Sequence, residues 1–144
     1  SMKGWKMRMV QLIYAAKGSG KTKKLLGMVA EEAKNAAGAV VFMDDDTRYL
    51  REVPTSVRFV DISEYGIDSA DALFGFICGM YSQNYDIGAV YIDSFLKIIG
   101  KQPAEAEDFF QKFAAFCDKN NIHAVLSVSA EAETAPEFLK AWMI

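Results

Sequence analysis

Behind the apolar run 9–14 the chain reads Ala15-Ala16-Lys17-Gly18-Ser19-Gly20-Lys21-Thr22, and a helical pattern starts at once after it. That order calls for a strand, a tight glycine-bearing loop and a helix that begins on the loop's last residues. The spacing [A/G]-x-x-x-x-G-K-[S/T] suits the holding of phosphate. Gly18 and Gly20 let the backbone curl with its N–H groups inward, because glycine reaches positive φ without steric cost. Lys21 offers a point charge to β- and γ-phosphates, and the Thr22 hydroxyl offers an oxygen to Mg²⁺. The helix start adds free N–H groups and its positive dipole end. The expected phosphate contacts are therefore Ala16, Lys17, Gly18, Ser19, Gly20, Lys21 and Thr22. A glycine-rich turn with one surface lysine is the plainer reading, and it leaves the strand-before, helix-after setting unexplained.

Five short apolar runs, 9–14, 39–43, 57–62, 89–92 and 123–128, alternate with helical patterns. They are rich in Val, Ile and aromatics and nearly continuous in apolar character, as strands buried on both faces are. The spacing predicts helices over 21–36, with Leu25, Leu26, Val29 and Ala33 on one face and Gly38 as C-cap. A second covers 69–81 through Leu73, Phe74, Ile77 and Met80, and a third covers 104–119. Phe109, Phe110, Phe113, Phe116 and Cys117 form a stripe on the third, which reads as a core face rather than a base-stacking one. A last helix is expected near Ala135-Pro136-Glu137, with Pro136 in its first turn. Strand–helix alternation implies an α/β three-layer sandwich around a mainly parallel five-stranded sheet. In such sheets ligands bind at the carboxyl ends of the strands.

The chain has 144 residues, 51% hydrophobic and 24% charged, enough for one domain that buries most of its apolar surface. Residues 9–144 read as that domain. Residues 1–8 read as an extension in which Ser1 before Met2 looks like a remnant of expression. Lys3 to Arg8 carries the charge of a signal-peptide start, but the apolar run behind it is short, holds Gln11 and leads into the glycine loop. Without an apolar span of about 20 residues, the expectation is a cytoplasmic chain with no membrane partner. A net charge of −3 does not indicate nucleic acid. Cys78 and Cys117 stand far apart without a CxxC partner, and His123 is the one histidine. Zinc and disulfide frameworks thus lack their spacing, and both cysteines read as reduced, buried fillers.

The strand tips carry the remaining chemistry. The fourth run closes in Asp93-Ser94, where a carboxylate can hold Mg²⁺ opposite the Thr22 hydroxyl. The second closes in Asp44-Asp45-Asp46-Thr47-Arg48. Three adjacent carboxylates make a solvated loop that caps a turn; alternatively Asp45 or Asp46 orients an attacking water. The motive for the second view is Ser94, where many ATPases place a glutamate. The fifth run ends in Ser127-Val128-Ser129-Ala130-Glu131, where Ser127 or Ser129 could sense a γ-phosphate and Glu131 could be a base.

With these residues the chain resembles the P-loop NTPase superfamily, 15–22 matching Walker A and 89–94 matching Walker B. The extra strand expected between the two Walker strands is similar to the RecA-like division, which implies that 123–128 lies between 9–14 and 89–92. The same resemblance puts the catalytic acid at the tip of the second strand, on Asp45 or Asp46, one methylene shorter than the family's glutamate. Gln11-Leu12-Ile13 and Asp46-Thr47-Arg48-Tyr49 are similar to the opening of zinc-containing thymidine kinases, whose zinc ribbon and substrate lasso this chain lacks. The whole looks most like compact bacterial ATP-binding proteins. What this implies is a Mg²⁺ and ATP binder with slow ATPase activity, serving as a switch or assembly factor. The alternatives are a non-catalytic interaction module and, less favoured, a small-molecule kinase. No Asn/Thr-Lys-x-Asp sequence of the guanine-reading type is present. Arg48, Arg51, Arg58, Lys97 or a neighbouring subunit could supply an arginine-finger charge. The segment 138–144 is apolar enough to dock an unknown protein partner or a second copy, but core packing is its stronger reading.

Overall fold

The computed structural model describes residues 8–144, so the expected extension 1–8 falls, apart from Arg8, outside the described residues. Five strands form one sheet: β1 (Val10–Ala15), β2 (Ala39–Asp44), β3 (Arg58–Asp61), β4 (Ile87–Ile92) and β5 (His123–Ser129). Their order is β1-β5-β4-β2-β3, and every neighbouring pair is parallel. β5 thus stands between β1 and β4, the position expected of it.

The runs are continuously apolar because both faces of the sheet are covered. Leu12, Tyr14, Val41, Met43, Val90, Ile92, Leu126 and Val128 face one core, while Ile13, Val40, Phe42, Ala89, Tyr91 and Val125 face the other. That alternation is the strand's period of two. The second core is closed by α1 (Lys21–Asn35), whose Leu25 and Val29 are wholly buried. The first is closed by α2 (Ala70–Gln83), α3 (Phe95–Ile99) and α4 (Glu107–Asn120).

Phe109, Phe110, Phe113 and Cys117 of α4 are buried, so the aromatic stripe is core. Phe116 at its edge meets Phe74 and Tyr81 in edge-on contacts at 6.0 and 5.6 Å. Burial pushes the Cys117 thiol up to about 12, the behaviour of an inert filler. Cys78 is only half-buried, and both are free thiols.

Several expectations need correction. Gly38 does not cap α1, which ends at Ala36 in an extended conformation. A Cβ on Gly38 would stand 2.2 Å from the Asp86 carbonyl oxygen, so the glycine is there for close approach of the turn before β4. The helix predicted over 104–119 begins only at Glu107, behind a 3-10 turn, Pro103–Ala106, fastened by a capping box between Gln102 and Glu105. The last predicted helix is a 3-10 turn, Glu137–Trp142, with Pro136 just before it. The segment 138–144 packs onto the fold: Leu139 is wholly buried, and Phe138 and Trp142 lie 6.2 and 5.8 Å from the Phe110 ring. The Ile144 amide then donates to the Leu12 carbonyl at 2.9 Å along the outer edge of β1. α3 has no counterpart among the expected helices, because five residues are too few to show a period.

Among the described residues no helix is long and apolar enough to cross a membrane.

Candidate functional site

β1 leaves the sheet at Ala15, and the chain turns twice through positive φ, at Gly18 (82°) and Gly20 (89°), before α1 begins. Both angles lie where a side chain is strained, which is the physical reason for glycine there. The Ser19 amide turns back onto the Ala16 carbonyl at 3.2 Å, and the Lys24 amide opens the helix on Gly20 at 3.1 Å. Lys21 is only 8% exposed. Its Nζ donates to the Ala16 carbonyl at 3.0 Å. Burial lowers the Lys21 pKa, partly opposed by the nearby Asp93 carboxylate. An ammonium held with one weak neutral partner is ready to exchange it for a stronger anionic one.

Asp93, buried just past the end of β4, is fixed from all sides. Its amide donates to the Met43 carbonyl at 2.9 Å. The Thr22 hydroxyl donates to its Oδ2 at 2.9 Å, and the Ser127 hydroxyl donates to Oδ1. Ser127 Oγ in turn accepts the Ser94 amide at 3.0 Å, while Ser94 sits in the left-handed region at φ 60°. A non-glycine residue held there beside a buried carboxylate marks a strained, over-determined junction. Ser127 is therefore a buried support of Asp93 rather than a surface sensor; Ser129 is the serine of β5 that reaches the open cleft.

That cleft encloses about 830 Å³ at the carboxyl ends of β1, β4 and β5. Its glycine-loop side is Lys17, Gly18, Gly20, Lys21 and Thr22, joined by Asp93, Ser94 and Ser129. Its other side comes from Lys23, Leu26 and Gly27 of α1 and from Arg48, Tyr49 and Glu52 of the β2–β3 connection. Lys17, Lys21, Lys23 and Arg48 outnumber Asp93 and Glu52, so the cleft favours an anion. Hydroxyl and carboxylate oxygens on Thr22 and Asp93 are the hard donors Mg²⁺ selects. Of the expected contacts, Ala16 and Ser19 do not line it; Ala16 lends its carbonyl to Lys21 instead.

Asp45 and Asp46 do not line the cleft either. Asp45 Oδ2 accepts from Lys97 Nζ at 2.7 Å. Burial alone would raise the Asp45 pKa, but hydrogen bonds from Lys97 and Asp44 together with the Lys97 charge hold it below the ordinary value. Asp46 accepts the Arg48 amide at 2.9 Å and faces the Arg48 guanidinium at 3.6 Å. Glu131 is exposed and is likewise not part of the cleft wall.

Three features had no sequence motif to announce them. Asp44, at the tip of β2, has no exposed surface, and its pKa is pushed up to about 8 by burial, by a hydrogen bond to Asp45 and by the charge of Asp93. Its Oδ2 and Asp45 Oδ1 are buried without a hydrogen-bond partner, while its Oδ1 accepts the Asp45 amide at 2.7 Å. Glu52 occupies a 3-10 turn, Leu50–Glu52, eight residues beyond Asp44. Under the sheet, Glu32 of α1 accepts from the Tyr91 hydroxyl at 2.8 Å and meets His123 Nδ1 at 2.7 Å, while His123 Nε2 faces Gln11 Oε1 at 2.7 Å. That network ties α1 to β4 and β5.

No protein-family model matches the chain, and no curated protein matches it significantly.

Proposed function

We propose that this chain is a Mg²⁺-nucleotide-binding protein of the P-loop NTPase superfamily, RecA-like division, that takes ATP and hydrolyses it slowly as a switch or assembly factor. The observation that carries the reading is the cleft itself. One wall is a glycine loop with a desolvated lysine, and its floor is a hydroxyl–carboxylate pair, Thr22 and Asp93, in direct contact. The strand order, with β5 between β1 and β4, supports the RecA-like assignment.

In this reading the loop amides from Lys17 to Thr22 and the α1 N-terminus hold the phosphates. Lys21 leaves the Ala16 carbonyl to pair with the β- and γ-phosphate oxygens. Thr22 and Asp93 hold the metal, Asp93 keeping its orientation through Ser127. Bound Mg²⁺ supplies neutralisation of the phosphate charge. Arg48, on the cleft wall, is the one arginine of the chain placed there among the described residues.

A thermal-shift titration with ATP, GTP and ADP, with and without Mg²⁺, tests this directly, because a ligand specific to the native state raises apparent stability by mass action. ATP with Mg²⁺ is expected to give the largest shift. Absence of any shift for all three nucleotides contradicts the reading. Bound ATP with phosphate release at background favours the non-catalytic module, and label appearing on an added nucleoside favours the kinase.

A further inference from the structure

Two carboxylates line the cleft, Asp93 and Glu52. Asp93 already accepts from Thr22 and Ser127, and the metal role takes what remains of it. The acids at the tip of β2 stand off the cleft wall: Asp45 is held by Lys97, Asp46 forms a solvent-exposed pair with Arg48 at 3.6 Å, and Asp44 is wholly buried. Glu52 is different. It is exposed on its 3-10 turn, and among the described residues its side chain has no hydrogen-bond or ion-pair partner. The segment that carries it also brings Arg48 and Tyr49 to the same wall, with the Arg48 guanidinium 5.1 Å over the Tyr49 ring.

We infer that Glu52 is the general base of the cleft and Arg48 its charge-stabilising cation, both delivered by the β2–β3 connection rather than by the strand tip. The inference rests on the nucleotide-binding reading above. In the step it serves, the Glu52 carboxylate takes a proton from water as the water oxygen bonds to the γ-phosphorus. The bond from that phosphorus to the β–γ bridging oxygen breaks, and ADP leaves with the electron pair. Arg48 neutralises charge on the transferring group, and Glu52 returns its proton to solvent. Asp45 is turned to Lys97 and does not line the cleft, whereas Glu52 does, so it is Glu52 that stands within reach of a water there.

The test pairs phosphate-release kinetics with calorimetric ATP affinity for wild type, Glu52→Gln, Arg48→Ala and Asp45→Asn. Glu52→Gln is expected to lower steady-state phosphate release by about 100-fold, the scale of general-base catalysis, while ATP affinity and the melting curve stay at wild-type values. Arg48→Ala is expected to lower it at least roughly tenfold. If Glu52→Gln costs less than about threefold, or Asp45→Asn costs as much as Glu52→Gln, the assignment is wrong. Wild type that binds ATP and releases no phosphate also overturns it, leaving the binding reading intact. Wild type that binds no ATP removes both.

Discussion

Thr22 and Asp93 stand 71 positions apart in the chain, yet the Thr22 hydroxyl donates to the Asp93 carboxylate at 2.9 Å. The contact joins the first turn of α1 to the end of β4, and Ser127 braces it from β5. Ser127→Ala removes the brace and takes from the buried Asp93 Oδ1 its hydroxyl donor. A loss of roughly 1–3 kcal/mol is expected for such a group, read by urea unfolding. Asp93→Ala is expected to cost a similar amount and to abolish any dependence of ATP affinity on Mg²⁺. A Mg²⁺ dependence that survives in Asp93→Ala places the metal elsewhere.

Asp44 predicts how stability depends on pH. In the unfolded chain an aspartate titrates near 4, whereas in the folded protein Asp44 titrates at about 8. Below the lower value both states hold the proton and the stabilising contribution is whole. Between the two, the unfolded chain gives up its proton while the folded one keeps it. Stability therefore falls as pH rises, by up to about 1.4 kcal/mol per pH unit, and the contribution is gone above pH 8. Asp45, held below its ordinary value, acts in the opposite sense and only at acid pH. Melting temperatures of the nucleotide-free protein are expected to fall from pH 5 to pH 8, and Asp44→Asn is expected to flatten that slope. An unchanged slope in the variant means that Asp44 is not the titrating group.

Two glycine substitutions should have opposite signs. At Gly38 a methyl group meets the Asp86 carbonyl oxygen at 2.2 Å, so Gly38→Ala must shift backbone and lose roughly 1–3 kcal/mol. Gly75, inside α2, has nothing within 4 Å of a built Cβ. Gly75→Ala is expected to gain about 0.5–1 kcal/mol from helix propensity. Chemical denaturation of the two variants side by side checks both, and a destabilised Gly75→Ala would show that α2 packs more tightly there than the structure shows.

The sheet was legible from the chain because strands buried on both faces read as unbroken apolar runs, and all five sit within two residues of where those runs lie. The glycine loop and Asp93 were legible for a different reason: each is a local pattern, a residue type at a fixed place on a strand end. Ser127 and Glu52 were not. Ser127 meets Asp93 through the approach of β5 to β4, and Glu52 reaches the cleft through the course of a loop, neither of which leaves a period or a spacing. Asp44 was hidden among its neighbours, since sequence shows three aspartates in a row and only packing separates the wholly buried one from the two that are partly exposed. Gly38 was misread because a C-cap and a close backbone approach both call for glycine at a helix exit, and only the Asp86 carbonyl distinguishes them.

The central claim is that the glycine loop and Lys21 hold a nucleotide's phosphates. Isothermal titration of Mg²⁺-ATP into wild type and Lys21→Ala tests it most directly. A charge-assisted hydrogen bond contributes about 1.5–3 kcal/mol, so affinity for ATP should fall roughly 10- to 150-fold in Lys21→Ala, with far-ultraviolet circular dichroism unchanged. Equal affinity in the two proteins, or no heat in either, contradicts the account.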